Sequence, residues 1–275
     1  MPELPEIETV RLQLEKVLPG QTSTKCEVLS TKIVRGSIDK IVGKKVLGVE
    51  RKGKVLLIDF GPELQLGFHF KMTGQLIYEE DGKRVVGGHP TEDFLNKMPS
   101  GHTRVIFEFD RGTLFFNDQR LFGWIEINPK FVDKLGPEPF QMSADQFISS
   151  VRKRKKPIKL VLMEQGVISG VGNIYANDAC WEAKVNPRRL ANTLTAKQYH
   201  DLFEGLIKVL KEGIKYGGAT AADAKYIDLH GLGGHYQDHF RVYDREGEEC
   251  LRGDGIVHKF VLGGRGTYFC SKCQT

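Results

Sequence analysis

Residues 169–178 read Ser-Gly-Val-Gly-Asn-Ile-Tyr-Ala-Asn-Asp, and their reading decides how the second half of the chain is built. Gly170-Val171-Gly172 leaves the backbone room for a tight turn, and Asn173 suits a helix start. Helical patterns stand on both sides, over 158–164 and 174–183. The segment therefore reads as two helices joined by a glycine turn, and the N-terminus of the second helix is a ready phosphate site.

Working outward, 144–152 and 196–216 are also helical by pattern, the latter with Leu202, Leu206, Val209 and Leu210 on one face. Residues 217–238, rich in Gly, Ala, Asp and His, read as an irregular loop, and the tail from Phe240 reads as a hairpin. Upstream, Gly136-Pro137-Glu138-Pro139 is a linker. Before it, short apolar or alternating runs at 45–49, 55–60, 64–69, 75–78, 105–109, 113–117 and 123–127 predict a sandwich or flattened barrel. Residues 79–103 are polar and read as a long loop or insertion. The expected fold class is α+β with two domains. Residues 1–135 form an N-terminal β-sandwich with a leading helix, and 136–143 form a linker. Residues 144–238 form a helical domain, and 239–275 a C-terminal β-hairpin.

The other end of the chain carries the chemistry. Met1-Pro2-Glu3-Leu4-Pro5-Glu6 opens a helix whose apolar residues recur at Leu4, Ile7, Val10, Leu14, Val17 and Leu18. Pro5 suits the first turn, and Glu3 and Glu6 complement the positive end of the dipole. If Met1 is removed, Pro2 becomes a secondary amine with a pKa near ~8, partly neutral at physiological pH. An amine that can attack an aldehyde-like carbon, beside carboxylates that can move protons, is the equipment of Schiff-base chemistry.

Composition narrows the setting. A 40% hydrophobic and 27% charged chain of 275 residues is that of an ordinary soluble protein able to hold two cores. No apolar stretch approaches the ~20 residues of a membrane span, and the acidic N-terminus is no secretory signal. The expected location is the cytosol or nucleoid. Lys and Arg number 40 against 35 Asp and Glu, an excess of +5 that is weak evidence for nucleic acid. The run Arg152-Lys153-Arg154-Lys155-Lys156 could track a phosphate backbone or be a solvated face. The cysteine count is odd, 5 in all, which argues against a disulfide framework. Cys26 and Cys180 stand alone and read as packing residues, whereas Cys250, Cys270 and Cys273 crowd the tail.

The stretches PELPEIETVR (2–11), RKGKVLL (51–57), HFKMTG (69–74), NDQRLFG (117–123), LGPEP (135–139), SGVGNIYAND (169–178) and GGRGTYFCSKCQ (263–274) together resemble the bacterial formamidopyrimidine-DNA glycosylase family along nearly the whole chain. The start PELPE separates the chain from the related endonuclease VIII branch, which typically begins PEGPE. The resemblance implies a bifunctional enzyme of base excision repair that excises oxidised purines and nicks the DNA. Its partner would be double-stranded DNA containing oxidised bases or abasic sites, and the protein would be a monomer. The alternatives are an endonuclease VIII-like enzyme for oxidised pyrimidines and a catalytically weak damage-binding paralogue.

By that resemblance Pro2 is the nucleophile, Glu3 assists proton transfer at the opened sugar, and Glu6 holds the N-terminal turn. Lys54 grips the phosphate next to the lesion, and His69 is a further phosphate contact. Met72 and Phe122 are wedges that fill the void left by a flipped nucleotide, and Arg120 offers donors to the orphaned base. Leu121 stands where the family usually has a basic residue. The stretch 159–178 resembles the family's helix–two-turn–helix, with Lys159 and Asn173 assigned to phosphates. Arg265 matches a hairpin arginine that contacts the phosphates flanking the flipped nucleotide.

The pattern breaks in two places. The family's zinc-finger-like hairpin carries two C-x-x-C pairs, and here Cys250, Cys270 and Cys273 fill three positions while Gly253 stands at the fourth. Structural zinc prefers four ligands. Asp254 or a water could complete the site, whereas His258, five residues past the gap, is roughly 15 Å away on an extended strand. Zinc with a substitute ligand is the expectation, against a metal-free hairpin. The second break is Ala221-Ala222-Asp223-Ala224, which replaces a stretch usually carrying an arginine. It leaves open a preference for ring-opened purines or further oxidised guanine over 8-oxoguanine.

Overall fold

The computed structural model describes residues 1–219 and 233–275. The chain divides into two compact units, Met1–Asp133 with Tyr216–Gln237, and Lys134–Lys215 with Asp238–Thr275.

The first unit is a sandwich of two five-stranded sheets. Helix α1 (Leu4–Leu14) precedes strands β1 (Ser23–Val28), β2 (Val34–Arg35), β3 (Gly48–Lys52), β4 (Val55–Asp59), β5 (Gln65–His69), β6 (Gly74–Glu80), β7 (Lys83–Gly88), β8 (Thr103–Phe109), β9 (Thr113–Asp118) and β10 (Trp124–Ile127). One sheet has the order β1-β8-β9-β6-β7 and the other β2-β10-β5-β4-β3. Alternation in β8 sends Val105, Phe107 and Phe109 inward, where they meet Leu56, Ile58, Phe68 and Phe116. Ile7, Val10 and Leu14 join the same core. An 11-residue helix is marginal alone. Burying these side chains, at roughly 1.5–3 kcal/mol each, is what holds α1 in place.

The expected loop over 79–103 is a correction. Lys83–Gly88 is strand β7, paired with β6 from Glu80↔Lys83 to Gln75↔Gly88. Asp81-Gly82 makes the turn, with φ of 48° and 73°, the geometry that Asp-Gly adopts in tight hairpins. The rest of the stretch packs Phe94 and Met98 against Ile77, Val86 and Phe115. Polar residues on its outer side hide this apolar anchoring from a composition reading.

The second unit contains α2 (Ala144–Val151), α3 (Ile158–Leu162), α4 (Asn173–Glu182), α5 (Ala196–Lys215) and a hairpin of β11 (Val257–Leu262) and β12 (Arg265–Cys270). Gly170 adopts φ +90° in the turn before α4, a left-handed conformation costly to a residue with a side chain. Helix α4 is buried through much of its length, polar residues included. Asn177 Oδ1 accepts from the Tyr268 amide at 2.8 Å, and Asp178 Oδ1 accepts from the amides of Val242 and Tyr243, both at 3.1 Å. Burial pushes the Asp178 carboxyl up to about 6, against these backbone donors that favour its charged form. These bonds, rather than apolar contact alone, tie the hairpin segment to α4. Cys180 is fully buried, and burial pushes its thiol up to about 12; Cys26 is pushed up to about 11 the same way, so both are inert thiols. Among the described residues no helix is long and apolar enough to cross a membrane.

Candidate active site and nucleic-acid interface

Pro2 is buried beside an exposed Met1, and Glu3, in extended backbone, is only 3% exposed. Glu6 organises this turn with both carboxylate oxygens. Oε2 accepts from the Glu3 amide at 2.7 Å, and Oε1 accepts from the Ala219 amide at 2.9 Å. The residue after Pro2 is thus held by a carboxylate one helical turn on, which is itself anchored to a distant stretch of the same unit.

Lys54 sits in the two-residue turn between β3 and β4 and is 5% exposed, a low value for a lysine. Two residues not singled out by the sequence reading set that turn. Glu8 of α1 accepts from Arg51 Nε at 2.8 Å, and Arg51 Nη1 donates to the Gly53 carbonyl at 3.1 Å. Arg11 donates to the same carboxylate at 2.8 Å. Burial alone would raise the Glu8 carboxyl; the hydrogen bonds from Arg11 and Arg51 outweigh it and hold it below its ordinary value. Through this pair the turn leading into Lys54 is bound to the helix that begins beside Pro2.

His69 lies opposite Val55, the residue after Lys54, so the two share one end of the second sheet. Its ring packs against Trp124 and Phe131. Burial, helped by the cations of Lys71, Lys54 and Arg35, pushes its pKa down to about 3. The ring is therefore neutral at physiological pH. Nδ1 accepts from the Lys71 amide at 3.1 Å, which leaves the proton on Nε2. His69 is suited to donating a hydrogen bond to an anion as a neutral group.

Met72 and Phe122 are exposed, Phe122 at 53%, on the turns between β5 and β6 and between β9 and β10. Arg120 stacks over Phe122, its guanidinium 4.7 Å from the ring centroid. An exposed Met and Phe on neighbouring turns are not core residues. Asp118, fully buried, binds both turns: Thr73 donates its hydroxyl to Oδ1, the Arg120 amide donates to Oδ1 at 3.1 Å, and the Gly123 amide to Oδ2 at 2.7 Å. The Arg120 amide also donates to Thr73 Oγ1 at 3.0 Å. Asp118 sits inside the quoted NDQRLFG stretch, but a strand-ending Asp has no spacing signal for this role. Asp118→Ala leaves several buried donors without an acceptor, each costing ~1–3 kcal/mol. Denaturant unfolding is expected to show a loss of about 3 kcal/mol for the first unit, with weaker binding to lesion-containing duplex. A loss below ~0.5 kcal/mol, the range of ordinary surface substitutions, would remove Asp118 as the organiser.

In the second unit Lys159 is fully buried. Its ammonium donates to Asn173 Oδ1 at 2.5 Å and to Thr267 Oγ1 at 3.1 Å. Asn173 Nδ2 in turn donates to the Gly266 carbonyl at 3.0 Å. The two residues thus join α3, the start of α4 and strand β12. Arg265, next to Gly266, is exposed. The sequence reading had no means of telling that Lys159 points inward, because its neighbours Ile158 and Leu160 suit either face of a short helix. Arg152 to Lys156 are exposed.

Cys250, Asp254, Cys270 and Cys273 bring one ligand atom each to within 4.8 Å of one another, a group able to hold a metal ion. His258 lies on β11 opposite Phe269, outside this group. Ala221 to Ala224 lie outside the described residues.

Residues 1–125 match the formamidopyrimidine-DNA glycosylase N-terminal domain, and residues 135–225 match the formamidopyrimidine-DNA glycosylase H2TH domain. With the sandwich, the glycine turn before α4 and the cysteine-bearing hairpin, this defines the class as the helix–two-turn–helix DNA glycosylases. The formamidopyrimidine-DNA glycosylase of Pelotomaculum thermopropionicum is 40% identical over 290 residues, covering 100% of this chain and 99% of that protein. Among solved structures, MutM in complex with DNA containing carbocyclic 8-oxo-G has a TM-score of 0.85 at 32% identity, with 100% of both chains covered. The Lactococcus lactis Fpg in complex with abasic-site DNA has a TM-score of 0.84 at 31% identity, with 99% of both chains covered. The chain belongs to the formamidopyrimidine-DNA glycosylase family.

Proposed function

We propose that this protein is a bifunctional DNA glycosylase and abasic-site lyase that removes oxidised purines, 8-oxoguanine and formamidopyrimidines, from duplex DNA in the bacterial cytosol. The single observation that carries the reading is the N-terminal turn. Buried Glu3 beside Pro2 has its amide held by Glu6, and the turn before Lys54 is bound to the same helix through Arg51 and Glu8. The relatives in complex with 8-oxo-G and abasic-site DNA support the substrate class.

The chemistry follows from these groups. Once Met1 is removed, the Pro2 nitrogen attacks C1′ of the damaged nucleotide, the bond to the base breaks, and the base leaves with the proton that the nitrogen gives up. Glu3 delivers a proton to the ring oxygen as the sugar opens, giving a cationic Schiff base. That cation acidifies the C2′ hydrogen. Its loss expels the 3′-phosphate, and a second elimination expels the 5′-phosphate. Lys54 and the neutral donor His69 bind the phosphate beside the lesion, and the lysine charge stabilises the departing anion. Met72 and Phe122 fill the vacated stack, with Arg120 facing the orphaned base. Arg265 and the N-terminus of α4 at Asn173 take flanking phosphates. Lys159 serves this surface by holding Asn173 and Thr267. Cys250, Cys270 and Cys273 would hold a zinc ion, which would keep the hairpin folded.

Borohydride trapping tests the reading. Duplexes containing 8-oxoguanine opposite cytosine, thymine glycol, or an abasic site are incubated with protein lacking Met1. A covalent adduct on the 8-oxoguanine duplex, located by mass at Pro2, is expected. Trapping mainly on thymine glycol would replace the substrate class by oxidised pyrimidines. No adduct on any duplex would overturn amine catalysis.

A further inference from the structure

We infer that Asp254 is the fourth metal ligand, so that the hairpin binds zinc through three thiolates and one carboxylate. The inference rests on the zinc reading above and adds what completes the site where Gly253 replaces a cysteine.

Distances carry it. Zinc–sulfur bonds of ~2.3 Å and zinc–oxygen bonds of ~2.0–2.2 Å in a tetrahedron imply sulfur–sulfur edges of roughly 3.8 Å and sulfur–oxygen edges of roughly 3.5 Å. Cys250 Sγ and Cys273 Sγ are 3.9 Å apart, and Cys270 Sγ lies 3.4 Å from Asp254 Oδ1. These are the edges of a four-ligand zinc site, one from each kind of pair. The carboxylate occupies the corner that a fourth sulfur would take.

The backbone explains the shift by one residue. The Gly253 amide donates to the Cys250 carbonyl at 2.7 Å, and the Cys250 amide donates to the Gly255 carbonyl at 2.7 Å. This closes a tight turn in which Gly253 takes φ +68°. Gly253 closes this turn, and the ligand comes from its next residue. Asp254 has the short side chain and hard oxygen that zinc accepts from a carboxylate.

The surroundings fit a site rich in negative charge. The Trp181 indole N–H donates to Cys250 Sγ at 3.3 Å, and Arg252 Nη1 lies 3.2 Å from Cys273 Sγ. Arg252 is fixed by the carbonyls of Trp181 and Glu182 at 2.8 and 3.2 Å, and its guanidinium lies 3.6 Å from the Trp181 ring centroid. Three thiolates and a carboxylate leave a zinc site with a net charge of about −2; N–H donors and a fixed cation on the sulfurs offset it, as partners behind metal ligands generally do.

The test uses the full chain with Asp254→Ala and Asp254→Cys, each checked for folding by circular dichroism. Wild-type protein is expected to carry one equivalent of zinc. In competition with a chelator, Asp254→Ala should bind at least ~10–100-fold more weakly, the range already seen for partners behind a ligand. Asp254→Cys should bind as tightly or more so. With cobalt(II) in place of zinc, its thiolate-to-metal absorption should exceed that of wild type by about one third, four thiolates against three. Zinc binding by wild type that is unchanged in Asp254→Ala would overturn Asp254 as ligand and leave the zinc reading standing. Zinc bound by Asp254→Cys but not by wild type would show that the carboxylate does not complete the site. Absence of metal from every protein would remove the zinc reading and this inference with it.

Discussion

Replacing Pro2 by glycine should slow single-turnover release of 8-oxoguanine by about 10²–10⁴-fold, the range expected when a positioned catalytic group is lost. Glycine still ends in an amine, so a slow adduct should persist; what disappears is the ring that fixes the nitrogen against the buried turn at Glu3. Protein that retains Met1 should form no adduct at Pro2, because its Pro2 nitrogen is an amide without nucleophilic character. Binding to duplex with a non-cleavable abasic analogue should stay within a few-fold in both proteins, since neither change touches Lys54, His69 or the exposed turns. Full excision activity in protein shown by mass to keep Met1 would end the assignment of Pro2.

Lys54→Ala should lower strand cleavage at a preformed abasic site by about 10²–10³-fold, the scale of losing one charged donor at a developing anion. An abasic substrate isolates this effect, because no base remains to be released. Lys54→Arg should recover part of the loss by keeping the charge. Because His69 is neutral down to about pH 3, it does not substitute for the missing cation at pH 7. The same low pKa means that His69 adds no limb to the activity profile between pH 5 and 8. Its linkage to stability runs one way: the unfolded histidine takes up a proton below ~6.5 and the folded one does not. Stability from this group is therefore present above that value and is lost as pH falls toward about 3. Cleavage by Lys54→Ala within threefold of wild type would remove the lysine from the elimination steps.

Periodicity carried much of the fold. The inward alternation of β8 and the apolar face of α5 are local patterns, and both elements lie within a residue or two of where the pattern places them. Strand β7 escaped because only Val85 and Val86 are apolar in it, between Lys83-Arg84 and Gly87-Gly88, and the cover over Val86 comes from Phe94 and Met98, beyond its own ends. The site divides along the same line. Residues inside contiguous motifs, such as Met72 and Phe122, could be singled out from sequence, and the structure places both on exposed turns. Glu8 and Arg51 were not, because they are 43 positions apart and meet only through the packing of α1 on the sheet. Lys159 could be singled out as a candidate but not seen to be buried, since a lysine stem suits an apolar neighbourhood and its ammonium needs only two or three acceptors to stay there. At the tail, spacing left open whether Asp254 or a water completes the site, and the inference for Asp254 comes from its oxygen lying 3.4 Å from Cys270 Sγ.

The bond from the Ala219 amide to Glu6 joins positions 213 residues apart. During synthesis at ~5–20 residues per second, roughly 10–40 s pass after Glu6 is made before its second partner exists. The strands of the sandwich are all complete by then, yet the turn beside Pro2 still lacks one of its anchors. A chain interrupted before residue 219 would therefore carry Pro2 and Glu3 without the second anchor on Glu6, whereas the turn at Lys54, tied to α1 by Arg51 and Glu8, would already be in place.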